Sequence, residues 1–283
     1  MNPQGQDNKR TIRNLAIFAV VVLACGWLGY GLDRLMNNPP TQQLGMLLWL
    51  IAPLITALLL RAFAGDGWKD FGLRPAFKGN IIWYVASMLI YPLVAVLVLT
   101  IGGILGLVTF PNFSLSLLLS FFAMGLIQSF IKNIFEEFAW RGYLTPKVNS
   151  LALNAYVGHV IVGLLWAGWH VPYWLLFLGR AQIQASAAQD LATFIPMAIL
   201  NIIVASIAYG EIRLLTNSVW PPVIMHTVGN SLIDVLVAQG LIHIATGMSF
   251  LVSPLHQSLL TLVFFLLAGI WLHQWRVRKQ LAG

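Results

Sequence analysis

From Ile81 to Leu107 the chain reads IIWYVASMLIYPLVAVLVLTIGGILGL. This run holds no charged residue, and it exceeds the roughly 20 apolar residues that an α-helix needs to cross a bilayer core. Working outward from it, the same length criterion marks eight expected spans, at about 15–33, 44–64, 81–107, 114–135, 152–178, 191–210, 219–240 and 255–274. The expected fold class is therefore an all-α polytopic membrane protein with about eight transmembrane helices.

Composition agrees. Of 283 residues, 59% are hydrophobic and 9% are charged, against about 25% charged in ordinary soluble domains. Mean hydropathy is +0.81. No stretch is long and polar enough for a separate water-soluble unit, so residues 1–283 are expected to form a single membrane domain. The single cysteine, Cys25, rules out an intrachain disulfide and any cysteine-rich metal motif. Lys9, Arg10 and Arg13 ahead of the run Leu15–Leu32 imitate a secretory signal, and Val22-Leu23-Ala24-Cys25 imitates a lipoprotein cleavage site. The run is nevertheless long enough to span, whereas a signal's apolar region is nearer about 7–15 residues.

The breaks between spans carry turn chemistry, at Asn37-Asn38-Pro39-Pro40, Pro111-Asn112, Thr145-Pro146 and Ser253-Pro254. Among the 16 lysines and arginines, only Arg34 and Arg180 fall in loops on one side, and Lys132 and Arg141 belong to the fourth helix. The rest lie on the opposite side, which the positive-inside bias makes cytoplasmic. A multi-pass protein of the cell membrane with both termini in the cytoplasm is expected. The net charge of +7 is spread over inner loops and chain ends, which suits anionic lipids as partners and not nucleic acid.

A charged side chain at mid-bilayer costs about 2.5–3.5 kcal/mol even on a lenient scale, so each one needs a reason. The stretch Gln128–Arg141 concentrates them. Residues four apart share a helix face, so Ser129, Asn133, Glu137 and Arg141 form one polar row, and Gln128, Lys132 and Glu136 form the row beside it. Glu137 is spaced to pair with Arg141, and Glu136 with Lys132. A packing seam would account for one Glu and one Arg. Two consecutive carboxylates exceed that need, and one is left as a candidate base, although a Lys132 partner would make Glu136 a poorer one.

In the fifth expected span, Pro172 removes the amide that would bond to Gly168, so the backbone is expected to open beside His170 and line a cavity. In the seventh, Pro221-Pro222 suit a first helical turn behind a Ser218 or Asn217 cap. His226 and Asn230 then share one face and could donate to a developing oxyanion. Weaker candidates are Asp234 as a partner of Asn230, and His159 near the membrane edge. His243, His256 and His273 are expected to be solvated at loops or span ends, and Glu211 with Arg213 to form a surface pair.

Together the three groups resemble the CPBP family of intramembrane proteases, the CAAX-protease and bacteriocin-processing proteins related to the type II CAAX prenyl protease. The family signature E-E-x-x-x-R, F-x-x-x-H and H-x-x-x-N reads here as Glu136-Glu137 with Arg141, then His170, then His226 with Asn230, over a core of about residues 115–235. Trp166 stands where the family has Phe. The resemblance implies a polar cavity open to the cytoplasm in which Glu136 and His170 activate water against a peptide carbonyl. It implies that His226 and Asn230 stabilise the oxyanion and that Glu137 and Arg141 orient the set. It leaves open a zinc ion held by Glu136, His170 and His226; the lack of H-E-x-x-H favours water activated without metal. The implied substrate is a membrane-associated peptide or protein cut near its end. Two readings of other classes stand beside it: a non-catalytic partner-binding or bacteriocin-immunity protein, and a transporter using the carboxylates as proton sites.

Overall fold

A computed structural model describes residues 3–39, 43–178, 183–184, 189–254 and 257–281. Pro40, Arg180 and His256 lie outside the described residues, as does the side chain of Asp234. The helices are α1 (Pro3–Leu35), α2 (Leu44–Phe63), α3 (Ile81–Ile104), α4 (Leu115–Ala139), α5 (Thr145–Asn149), α6 (Ala155–Pro172), α7 (Leu191–Thr216), α8 (Trp220–Ala238), α9 (Ser249–Val252) and α10 (Leu259–Leu281). A two-residue ribbon, β1 (Val108–Thr109) against β2 (His243–Ile244), is antiparallel. This is an all-α, multi-pass membrane protein. Among the described residues, seven helices are long and apolar enough to cross a bilayer. The seventh expected span, 219–240, folds as α8, and its side chains at 233, 234 and 238 lie outside the described ones.

Local sequence explains the differences from expectation. The chain does not stop at Thr145-Pro146: α4 widens into a π turn over Trp140–Leu144 and continues as α5. Pro172 does not break its helix either. α6 runs through it and then widens into a π segment, Tyr173–Leu178, so the irregular backbone follows His170 on its C-terminal side. α7 runs on to Thr216, where Asn217 takes a left-handed conformation, and Ser218 Oγ accepts from the Trp220 amide at the start of α8.

Helix packing uses small residues, as expected where lipid is the solvent. Gly29 of α1 meets Gly45 of α2 so closely that a Cβ on Gly45 would sit 2.0 Å from the Gly29 carbonyl oxygen. A Cβ on Gly163 of α6 would lie 2.6 Å from Ile203 Cα on α7. α2 and α6 are joined by a reciprocal pair, with Trp49 Nε1 donating to the Trp169 carbonyl at 2.8 Å and Trp169 Nε1 to the Trp49 carbonyl at 3.0 Å. α4 packs on α8 and α2, and α7 on α6 and α10.

The two chain ends lie at the same end of the bundle. Asn14 of α1 donates to the Ala64 carbonyl just after α2, and Arg276 of α10 holds Glu211 near the end of α7. Glu211 is fully buried, corrected from a surface position: its carboxylate takes His159 at 2.8 Å, His273 at 2.9 Å and both Nε and Nη2 of Arg276. The solvated His273 expected from sequence is therefore a partner in this knot, while His243 is exposed as anticipated.

Candidate active site

Glu136 and Glu137 are adjacent in sequence, so on a helix they diverge by about 100° and address different neighbours. Glu137 faces α8. Its Oε1 accepts from His226 Nδ1 at 2.8 Å and from Arg141 Nη1 at 3.1 Å. One turn back on the same row, Asn133 Oδ1 accepts from Asn230 Nδ2 at 3.2 Å. Thus 133 meets 230 and 137 meets 226, two antiparallel polar rows in register. Glu136 faces α6: Oε2 accepts from Trp166 Nε1 at 3.1 Å, and Oε1 takes Lys132 Nζ at 2.5 Å. Asn133, Glu136, Glu137 and Arg141 are all buried, and Lys132 keeps 37% of its side chain exposed.

His170, one turn beyond Trp166, is half-buried and donates from Nδ1 to the Trp166 carbonyl at 2.9 Å. That bond fixes the tautomer and leaves Nε2 as the basic nitrogen. The ring is held by Trp169 at 4.7 Å and stacks on Trp174 at 5.4 Å between centroids. Both imidazoles, His170 from α6 and His226 from α8, lie within electrostatic range of the Glu136 carboxylate. Arg141 is sandwiched, its guanidinium carbon 4.0 Å from the Trp166 ring centre and 4.3 Å from that of Tyr209. This cation–π sandwich lets a buried arginine balance the carboxylates in a site with few other polar partners.

Residues 118–232, which contain every side chain of this constellation, match the Rce1-like family model, type II CAAX prenyl endopeptidase Rce1-like. Over that segment the chain is similar to the Rce1-like family. No curated protein matches the chain. The Rce1-like match bears out the resemblance read from the three motifs and implies a protease of the CAAX type.

Each of the six motif residues of the Rce1-like segment lies at this cluster. The ligand shell implied for zinc is not formed: among the described residues no three His, Cys, Asp or Glu side chains gather closely enough to hold a metal ion. Both Glu136 oxygens and His226 Nδ1 already bond to protein groups. Sequence reasoning did not assign Tyr209, whose ring covers Arg141 and whose hydroxyl bonds Tyr91 at 3.0 Å. It placed Asn133 on the right row without giving it a partner.

Beneath the cluster, at the end of the bundle holding the chain ends, the segment 64–80 is tied down by charge. Arg61 Nη1 donates to Asp70 Oδ1 at 2.6 Å, Lys147 Nζ lies 3.0 Å from Asp70 Oδ2, and Tyr143 donates to Asp66 at 2.8 Å. Burial pushes the Asp70 carboxyl up, but the hydrogen bond and charge of Arg61, joined by Lys147, outweigh it and hold Asp70 below the ordinary carboxylate value.

Proposed function

We propose that the protein is an intramembrane endopeptidase that hydrolyses a peptide bond with water activated by Glu136 and His170. Water gives a proton to this pair as its oxygen adds to the scissile carbonyl. The resulting oxyanion accepts from His226 and Asn230. Collapse expels the amine, which takes the proton back from the same pair. Glu137 accepts from Nδ1–H of His226 and orients its ring, whose Nε2 edge is turned to the oxyanion in the proposed reaction. Asn230 spends one amide hydrogen on Asn133 and has the other to donate. Arg141 pairs with Glu137 and orients it. No step is routed through a metal, because the donor set does not form a ligand shell.

The observation that carries this reading is the placement of Glu136, His170 and His226, from three helices, around the Trp166 indole within a segment that matches the Rce1-like model. The substrate is a membrane-associated peptide or protein cleaved near its end, including a prenylated CAAX tail where the host makes one. The basic end of the bundle faces the cytoplasm of the cell membrane and meets anionic lipid there.

Cleavage of a membrane-associated peptide by purified protein in detergent tests the reading, comparing wild type with Glu136→Gln, His170→Ala and His226→Ala. The expected result is loss of cleavage in all three, with unfolding temperatures near wild type and no effect of a zinc chelator. Full biological function in the three variants would overturn it and favour a membrane partner-binding protein; inhibition by chelator would reinstate zinc.

A further inference from the structure

The widened turn Trp140–Leu144 leaves two buried carbonyls without their usual helical donors. In an α-helix the Arg141 carbonyl takes the amide of residue 145 and the Gly142 carbonyl that of residue 146. Here the Thr145 amide is diverted to the Trp140 carbonyl, five residues back, and residue 146 is proline, which has no amide hydrogen. A buried carbonyl without a donor costs about as much as a lost hydrogen bond.

Two arginines from other helices supply the donors. Arg213 of α7 gives Nε to the Arg141 carbonyl at 2.8 Å and Nη2 to the Asp70 carbonyl at 2.6 Å. Arg61 of α2 gives Nη2 to the Gly142 carbonyl at 2.7 Å and Nη1 to the Gly67 carbonyl and to Asp70. They are only 3% and 2% exposed. The backbone is cut to fit them: Gly72 has φ +79°, and a Cβ there would lie 2.8 Å from Arg213 Nη2, while a Cβ on Gly142 would lie 2.8 Å from the Phe71 ring.

We propose that Arg213 and Arg61 are positioning residues, which hold the widened turn by its Arg141 and Gly142 carbonyls and so fix where the Arg141 guanidinium stands beside Glu137. The inference rests on the reading of Glu137 and His226 as part of a catalytic set. Arg213 does not touch that set through its side chain. It acts on the backbone of the residue that does. Its two-point fork is specific to guanidinium, since a lysine ammonium on a flexible stem is not pre-organised to bond both carbonyls.

The test compares full-length wild type, Arg213→Lys, Arg213→Gln and Arg61→Lys in detergent by amide hydrogen exchange and by peptide cleavage. Arg213→Gln is expected to speed exchange at least about tenfold in peptides covering 140–149, leaving α6 and α8 unchanged. It is also expected to lower kcat by up to about 100-fold, the order expected for a misplacement near 1 Å, with KM unchanged. Arg213→Lys, which keeps charge and length, should fall between. Wild-type exchange in 140–149, a uniform rise across the chain, or faster exchange there with wild-type kcat would each overturn the proposal. Glu136→Gln, run alongside, separates the two ideas. If it cleaves like wild type, the catalytic reading fails, whereas the exchange pattern still decides whether the arginines hold the turn.

Discussion

His226 and Arg141 meet on one oxygen: Glu137 Oε1 accepts from His226 Nδ1 at 2.8 Å and from Arg141 Nη1 at 3.1 Å, joining α8 to the end of α4 through a single buried atom. Replacing Glu137 with Gln keeps the shape and removes the charge. Arg141, fully buried, would then lack its counter-ion, and breaking a buried pair in this way costs about 3–5 kcal/mol. Thermal unfolding in detergent should show a marked fall in midpoint, and a stability near wild type would mean that Arg141 is balanced by other groups.

Asn230 and Asn133 share a hydrogen bond but are not equivalent in the proposed reaction. Removing one oxyanion donor typically costs about 10²–10³ in kcat. Asn230→Ala should reach that range with KM little changed, and Asn133→Ala, which only orients Asn230, should lose less. Equal losses in steady-state kinetics would reassign Asn230 to packing.

The knot around Glu211 ties α6, α7 and α10 together at a distance from the chemistry. Glu211→Gln leaves Arg276 without a carboxylate and weakens the bonds of His159 and His273. It is expected to lower the unfolding midpoint while the kcat of the remaining folded enzyme stays within about twofold of wild type. A large kcat loss in fully folded variant would show that the knot reaches the site.

Asp70 sets an acid limit. Its proton is held less readily in the folded chain than in the unfolded one, where its value is near 3.8. The stability it contributes is complete above that unfolded value and is lost as pH falls through the lower, folded one. Asp70→Asn should make the acid side of the stability–pH curve shallower than wild type below the unfolded value of Asp70. An acid limb as steep as wild type would assign the effect to other carboxylates.

The polar rows of α4 were legible because a four-residue spacing on a helix fixes a face whatever the rest of the chain does, and the His226–Asn230 spacing worked the same way. Their partners were not legible: Glu137 finding His226, 89 positions on, follows from helix packing that no local pattern records. Thr145-Pro146 read as a stop because proline usually ends a helix. The stop is avoided by arginines at 61 and 213, far along the chain, which take over the work of the missing amide. Glu211, Arg213 and His273 were misplaced for one common reason. Near a span end, charge suggests solvent, and only three-dimensional contacts reveal that Glu211 and His273 face each other and that Arg213 faces the Arg141 and Asp70 carbonyls. The apolar runs, by contrast, decide membrane crossing locally, and seven of the expected spans are helices apolar enough to cross.

α8 has a consequence for biogenesis. It carries two polar side chains, His226 and Asn230, and begins on two prolines. Polar groups within a span raise the cost of its release into lipid by itself. Its polar groups are matched by Asn133 and Glu137 on α4, a helix synthesised earlier and already in place. Partitioning of α8 would then be driven by docking onto α4, so that a newly made chain completes its topology and assembles its reactive centre in one event, and a molecule that fails at the first could not display the second.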